Sequence, residues 1–363
     1  MKIKKITAAI LSTVIITASI VGCGSSNTSS GESNNETSGI SIGLATDEGG
    51  ANDKSFNQSA NTGLEKVEKE FGFQYTVIES QKKEDYQPNL QALVDSGCQL
   101  SFATGYQLAD AITTVAKNNL DMKFCLVDTV AEGDNIKSIV FKEEEGSFLV
   151  GVIAGLTTKT NKIGFIGGKD QETIVKFEAG FAAGVAAVNP EAAKGLISVD
   201  GKTPGSTVKY ADSFADTNKG YELSKSLYES GCDIIYHAAG GVGIGMFQVA
   251  KQLKEEGKEV WGIGVDMDQA ISLPEYAEII LTSMIKDVEK ATYDTAKSMV
   301  EGNFETGITV LGIAEGGVRV SESTSEKVSP EILAKVNELE NKIKDGKIIV
   351  PATRQDVMEF KIS

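Results

Sequence analysis

The chain has 363 residues, 41% of them apolar and 24% charged, enough for two lobes or domains with sizeable cores. Its formal net charge of −16 argues against nucleic acid, whose phosphates call for clustered Lys and Arg, and against lying on an anionic membrane surface. The ordinary use of such a charge is solubility.

Lys2, Lys4 and Lys5 form a basic start, residues 6–21 an apolar stretch, and Ile20-Val21-Gly22-Cys23 closes it. This is the order of an export signal. Its last four residues resemble a bacterial lipobox, which implies cleavage before Cys23 and lipid on its sulfur. The alternative is an uncleaved anchor helix, but the stretch is slightly short of the roughly 20 residues that span a bilayer. Residues 1–22 are therefore expected to be a lipoprotein signal peptide. Residues 23–39 are expected to be the lipidated cysteine and a flexible tether, because they offer no large apolar side chain to offset chain entropy. The expected location is the outer face of a bacterial cytoplasmic membrane.

From Ile40 onward short apolar runs alternate with helical periodicities. Strands are predicted at 40–45, 73–78, 100–104, 123–127 and 138–141, with helices at 56–71, 86–96, 108–118 and 146–156. The rhythm restarts at residue 162, with strands at 163–166, 208–211, 233–237 and 259–265 and helices at 173–188, 217–230 and 245–256. A further strand-like run is Ile279-Ile280-Leu281, and an amphipathic helix over 330–344 starts at a Ser329 cap. Such alternation gives an α/β fold with parallel sheets covered by helices on both faces. The segments "LVDSGCQLSFATG", ending at Gly105, and "LYESGCDIIYHAAG", ending at Gly240, repeat one pattern and predict two lobes of the same build. Cys98 and Cys232 then occupy equivalent turns. With Cys125 they make an odd number, which argues against a full disulfide framework. The single histidine, His237, reads as a strand-end residue, so no metal or cofactor is expected.

In an open parallel sheet the ligand crevice lies beyond the carboxyl ends of the strands. Asp47, Asp128 and Asp266 each follow a predicted strand; Asp200 does too, but Gly201 and Pro204 mark a plain turn there. The stretch "TDEGGANDKSFNQSA" after the first strand looks like a phosphate-binding turn but is acidic. Carboxylates repel phosphate and accept strong hydrogen bonds from hydroxyls, so the expected guest is neutral and polyhydroxylated, a sugar or a nucleoside. Phe56 and Phe214 are placed to sandwich a flat ring if they face the crevice, and core packing is the alternative for each. Lys286 reads equally as a donor to a ligand oxygen and as a solvated charge. The glycine run 240–245 follows a strand but lies in mid-chain, which is weak support for a dinucleotide enzyme. The lack of a histidine pair disfavours a hydrolase.

The motifs "TDEGGANDKSFNQSA", "VKFEAGFAAGV", "AAGGVGIGMFQVA", "GIGVDMDQ" and "LTSMIKDVEKATYD" together resemble the basic membrane protein (Bmp) family, which includes purine nucleoside receptor lipoproteins. The resemblance runs over about residues 40–350. It implies a type I periplasmic-binding-protein fold with a three-crossing hinge, and a monomeric binding protein rather than an enzyme. Its partners would be a nucleoside and the permease and ATPase of an ABC importer. Carried over by position, it implies ligand contacts from Asp47, Asp53, Phe56, Asn57, Asp128, Phe214, Gly240, Gly241, Asp266 and Lys286. Asn52 is a departure, since many relatives carry Asp there. Lobe 1 is expected to be 40–141 plus about 281–302, and lobe 2 to be 142–280 plus about 303–363. The alternatives are a receptor for another neutral polyol, such as a sugar or signalling molecule, and a nucleoside hydrolase.

Overall fold

A computed structural model of the chain describes residues 39–361. The expected signal peptide, Cys23 and all of the tether but Gly39 lie outside the described residues. Lobe 1 is built from β1 (Ser41–Thr46), α1 (Phe56–Phe71), β2 (Gln74–Glu79), α2 (Tyr86–Asp95), β3 (Leu100–Thr104), α3 (Ala109–Asn118), β4 (Lys123–Val127) and β5 (Ile136–Phe141). Every residue of β1 and of β3 is buried, as a parallel strand covered by helices on both faces requires. In α1, Ala60, Leu64 and Val67 face the core, and Gly72 ends the helix with φ +74.

The chain then crosses to lobe 2, which contains α4 (Glu143–Thr157), β6 (Ile163–Gly167), α5 (Glu172–Val188), α6 (Pro190–Ala193), β7 (Val208–Tyr210), α7 (Thr217–Glu229), β8 (Ile234–Ala238), α8 (Val242–Glu255), β9 (Trp261–Asp266), α9 (Gln269–Ser272) and β10 (Ile280–Lys286). Helices α4 and α5 are buried along most of their length. Their backbones touch at glycines: a Cβ on Gly180 would lie 2.2 Å from the Glu144 carbonyl oxygen, and one on Gly184 would lie 2.0 Å from that of Phe148. The small residues in these two apolar helices are thus a packing requirement.

After β10 the chain returns to lobe 1 as α10 (Val288–Val300), packed on α1, and β11 (Gly307–Leu311), parallel to β5. It crosses a third time to β12 (Val318–Val320), antiparallel to β10, and ends in α11 (Pro330–Lys344) and α12 (Arg354–Glu359). The three-crossing hinge is present, but the lobe boundaries differ from the expectation. Leu281–Lys286 pairs with β9 and belongs to lobe 2, whereas β11 belongs to lobe 1. An apolar run declares a buried strand without declaring which sheet takes it. Ser329 holds the N-cap position of α11, but its side chain makes no hydrogen bond to the helix backbone.

The strand orders are β11-β5-β4-β3-β1-β2 and β12-β10-β9-β8-β6-β7, so the lobes share one build in their five parallel strands and differ at one edge, where β11 is parallel and β12 antiparallel to its neighbour. The repeated turns match as well. The Cys98 amide donates to the Leu93 carbonyl at 3.1 Å and the Cys232 amide to that of Leu227 at 3.2 Å. Cys98, Cys125 and Cys232 are buried and free.

Candidate functional site

A cleft of about 490 Å³, counting its mouth, lies between the lobes at the carboxyl ends of the strands. Of the ten residues proposed to contact a ligand, nine line it: Asp47, Asp53, Phe56, Asn57, Asp128, Phe214, Gly240, Asp266 and Lys286. Gly241 does not; it precedes α8, and its carbonyl accepts from the Thr217 hydroxyl at 3.2 Å. Asn52 is exposed, and Asp200 sits in its own turn, accepting from the amides of Lys202 and Thr203 at 2.8 and 2.7 Å.

Asp47 follows β1 and is oriented by two donors, the Gly49 amide at 2.9 Å and the Asn57 side-chain amide at 2.7 Å. The Thr104 hydroxyl donates to Asn57 Oδ1 at 2.6 Å, which fixes which way the amide points. Asp53 serves the helix behind it: its oxygens accept from the amides of Ser55, Asn57 and Gln58 at 2.9–3.0 Å, capping the first turn of α1. Asp128 and Asp266, at the ends of the equivalent strands β4 and β9, both have left-handed backbones, φ +92 and +66. Such conformations cost roughly 1–3 kcal/mol each and concentrate at functional sites. The Ser55 hydroxyl of lobe 1 donates to Asp266 of lobe 2.

Burial dominates the acid–base character of the cleft. It pushes Asp53 up to about 7, and Asp47 and Asp266 up to about 6 despite the hydrogen bonds that oppose it. One cation counters the carboxylates. The Lys286 ammonium pairs with Asp128 and lies 3.3 Å from Glu143. It also sits over the rings of Phe56, Phe141 and Phe177, 4.9, 5.1 and 5.5 Å from their centroids. Burial alone would lower its affinity for a proton, but Asp128, Glu143 and Asp266 hold it above the ordinary lysine value. The buried carboxyl of Glu143 is pushed up by desolvation, with Lys286 opposing.

Further bonds join the lobes. Lys169 of lobe 2 reaches Glu48 at 2.7 Å and Gln107 at 2.8 Å, and its ammonium lies 5.7 Å from the Phe214 ring centroid. The Gln269 side-chain amide donates to the Lys54 carbonyl at 3.0 Å. His237, buried in β8, bonds Gln269 Oε1 through Nε2 at 2.8 Å and is pushed down to about 4 by burial.

Sequence reasoning did not single out Gly105, Tyr106, Ile174, Phe177, Ala238, Ala239 and Val265 as cleft lining. Gly105 had a signal, since it closes the repeated segment that Gly240 closes one residue later in the second copy. Glu143 was also missed, because it opens an acidic run that reads as a solvated helix start.

A family model described as an ABC transporter substrate-binding protein, PnrA-like (Bmp), matches residues 40–354. The chain is 41% identical to the CD4+ T-cell-stimulating antigen of Listeria innocua, over 96% of this chain and 99% of that protein. It is 37% identical to the ABC transporter nucleoside-binding protein BmpA of Lactococcus lactis, over 92% and 95% of the two chains. The identity to basic membrane protein A of Borreliella burgdorferi is 34%, over 86% and 88%. Among solved structures, an ABC transporter solute-binding protein of Aeropyrum pernix superposes with a TM-score of 0.75 at 26% identity, covering 86% of this chain and 94% of that one. No helix among the described residues is long and apolar enough to cross a membrane. From the shared fold, the cleft and these matches together, the chain belongs to the Bmp family of PnrA-like ABC transporter substrate-binding proteins.

Proposed function

We propose that the protein is a receptor anchored by lipid on Cys23 that captures a purine nucleoside in the interlobe cleft and presents it to the permease of an ABC importer. The observation that carries this reading is the convergence, on one cleft, of strand-end carboxylates from both lobes with Phe56 and Phe214. Asp47, Asp128 and Asp266 provide acceptors for ribose hydroxyls, and the two rings provide faces for a base. The carboxylates outnumber the one lysine lining the cleft, a field that favours an uncharged guest over a phosphorylated one. The Lactococcus relative, a nucleoside-binding protein by name, supports the same class. Closure of the lobes around the guest is the event the permease would read.

The test is mass spectrometry of whatever co-purifies with residues 24–363, followed by calorimetric titration with inosine, guanosine, adenosine, cytidine and ribose. A purine nucleoside is expected to co-purify and to bind tightest. Binding of a plain sugar with no nucleoside bound would overturn the reading in favour of a polyol receptor. Labelling of the full chain with radioactive palmitate in a bacterial host tests the anchor, and Cys23→Ala is expected to abolish it.

A further inference from the structure

Tyr106 follows Gly105 at the turn that ends β3. Gly105 has φ +103, and a Cβ there would lie 3.1 Å from Asp47 Oδ2. Only glycine lets the chain turn so tightly beside that carboxylate, and the turn delivers Tyr106 to the cleft wall. Its ring meets Phe214 of the opposite lobe edge-on, with centroids 6.3 Å apart. The ring is thus held, but the hydroxyl is not: it is buried, and no described group hydrogen-bonds it. Elsewhere the hydroxyls of Tyr75, Tyr210, Tyr228 and Tyr236 bond Asn61, Glu178, the Trp261 carbonyl and Ser147 respectively. An unmet buried donor is costly, and a site built around one rejects ligands that cannot satisfy it.

We propose that Tyr106 is a specificity-determining residue whose hydroxyl donates to a lone-pair acceptor on the base of the bound nucleoside. The assignment rests on the nucleoside reading above. Burial, reinforced by Asp47 and Asp128, holds the phenol well above its ordinary value, so it keeps its proton and acts as a donor. The cleft's carboxylates are acceptors suited to ribose hydroxyls, and Tyr106 supplies the complementary polarity. Its contact with Phe214, the proposed stacking ring, places it at the base end. A phenylalanine would keep that ring contact and remove the donor alone.

The test titrates wild-type protein and Tyr106→Phe with inosine and with 7-deazainosine, 3-deazainosine and purine riboside, each of which lacks one base acceptor. Tyr106→Phe is expected to weaken inosine by about three- to tenfold, the worth of one neutral hydrogen bond. It should melt no lower than wild type without ligand, since it loses an unpaired buried hydroxyl. One analogue should show the same loss on wild type and no further loss on the variant. Equal inosine affinity for the two proteins overturns the Tyr106 assignment while leaving the nucleoside reading intact. Analogue losses that add to the variant's loss in every case overturn the contact to the base. Failure of wild type to bind any of these compounds overturns the nucleoside reading and this assignment together.

Discussion

Replacing Lys286 by Met tests whether the cleft's charge is organised around one cation. Methionine keeps an unbranched stem and removes the ammonium together with its contacts over the rings of Phe56, Phe141 and Phe177. That leaves Asp128, Glu143 and Asp266 without their shared counter-charge; Lys176 remains, 3.6 Å from Glu143 and a quarter exposed. Removing one partner of a buried ion pair costs about 3–5 kcal/mol, because the other is stranded in a poorly solvating interior. The loss is therefore set at ~3–5 kcal/mol for the ligand-free protein at pH 7.5. Lys176→Met should cost less than about 1 kcal/mol, as expected of a partly exposed pair. Urea unfolding followed by fluorescence of Trp261 reads the effect, because Trp261 begins β9, the strand paired with β10. The deficit should shrink at pH 5.5, below the value of about 6 to which burial has already pushed Asp266, since protonation discharges that carboxylate. A Lys286→Met protein within about 1 kcal/mol of wild type at pH 7.5 would refute the reasoning.

Phe214→Ala should weaken inosine at least about tenfold, from lost stacking and burial, and leave ribose binding nearly unchanged; calorimetry on both ligands decides it. Stability should depend on pH in the sense opposite to that of salt-bridged acids. Asp47, Asp53 and Asp266 have folded values raised to about 6–7 from an ordinary 3.8, so the folded state holds protons that the unfolded chain releases. Through these groups the ligand-free melting temperature should rise as pH falls from 7 toward 4, and inosine affinity should fall below pH 6 as Asp47 and Asp266 are protonated; a melting temperature that drops steadily from pH 7 to 5 would contradict this. Lys169→Met should speed inosine dissociation by about two- to fivefold in stopped-flow measurements, with the difference shrinking in high salt, because it cuts the partly exposed tie to Glu48 and Gln107 between the lobes.

Much of this architecture was legible in the residues, for identifiable reasons. Helix α1 could be bounded at Phe56 and Phe71 because its apolar period is clean and Gly72 stops it. The aspartates of the cleft could be found because parallel strands place their C-terminal residues at one edge. What stayed hidden depends on partners distant in sequence. Strand β11, Gly-Ile-Thr-Val-Leu, exposes Gly307, Ile308 and Val310 and pairs only with β5, so its short run lacks the buried pattern of the other strands and does not show which sheet takes it. Glu143 is buried only because the first crossing carries it under Lys286. Arg354 near the C-terminus looks like a surface residue, yet it is clamped by Glu178 at 2.7–2.8 Å and by Asp170 at 2.7 Å, with the Tyr210 hydroxyl at 3.0 Å. Asp53 shows the converse: its motif marks it as a ligand contact, while the geometry commits its oxygens to the start of α1.

The most direct test of the account is a calorimetric comparison of inosine, inosine 5′-monophosphate and ribose on the unmodified protein at pH 7.5. A cleft of carboxylates and ring faces should take inosine at least about a hundredfold more tightly than the monophosphate, since bringing a phosphate among those acids costs several kcal/mol, and more tightly than ribose, which lacks the base. A monophosphate that binds as tightly as inosine, or ribose that binds while inosine does not, would contradict it.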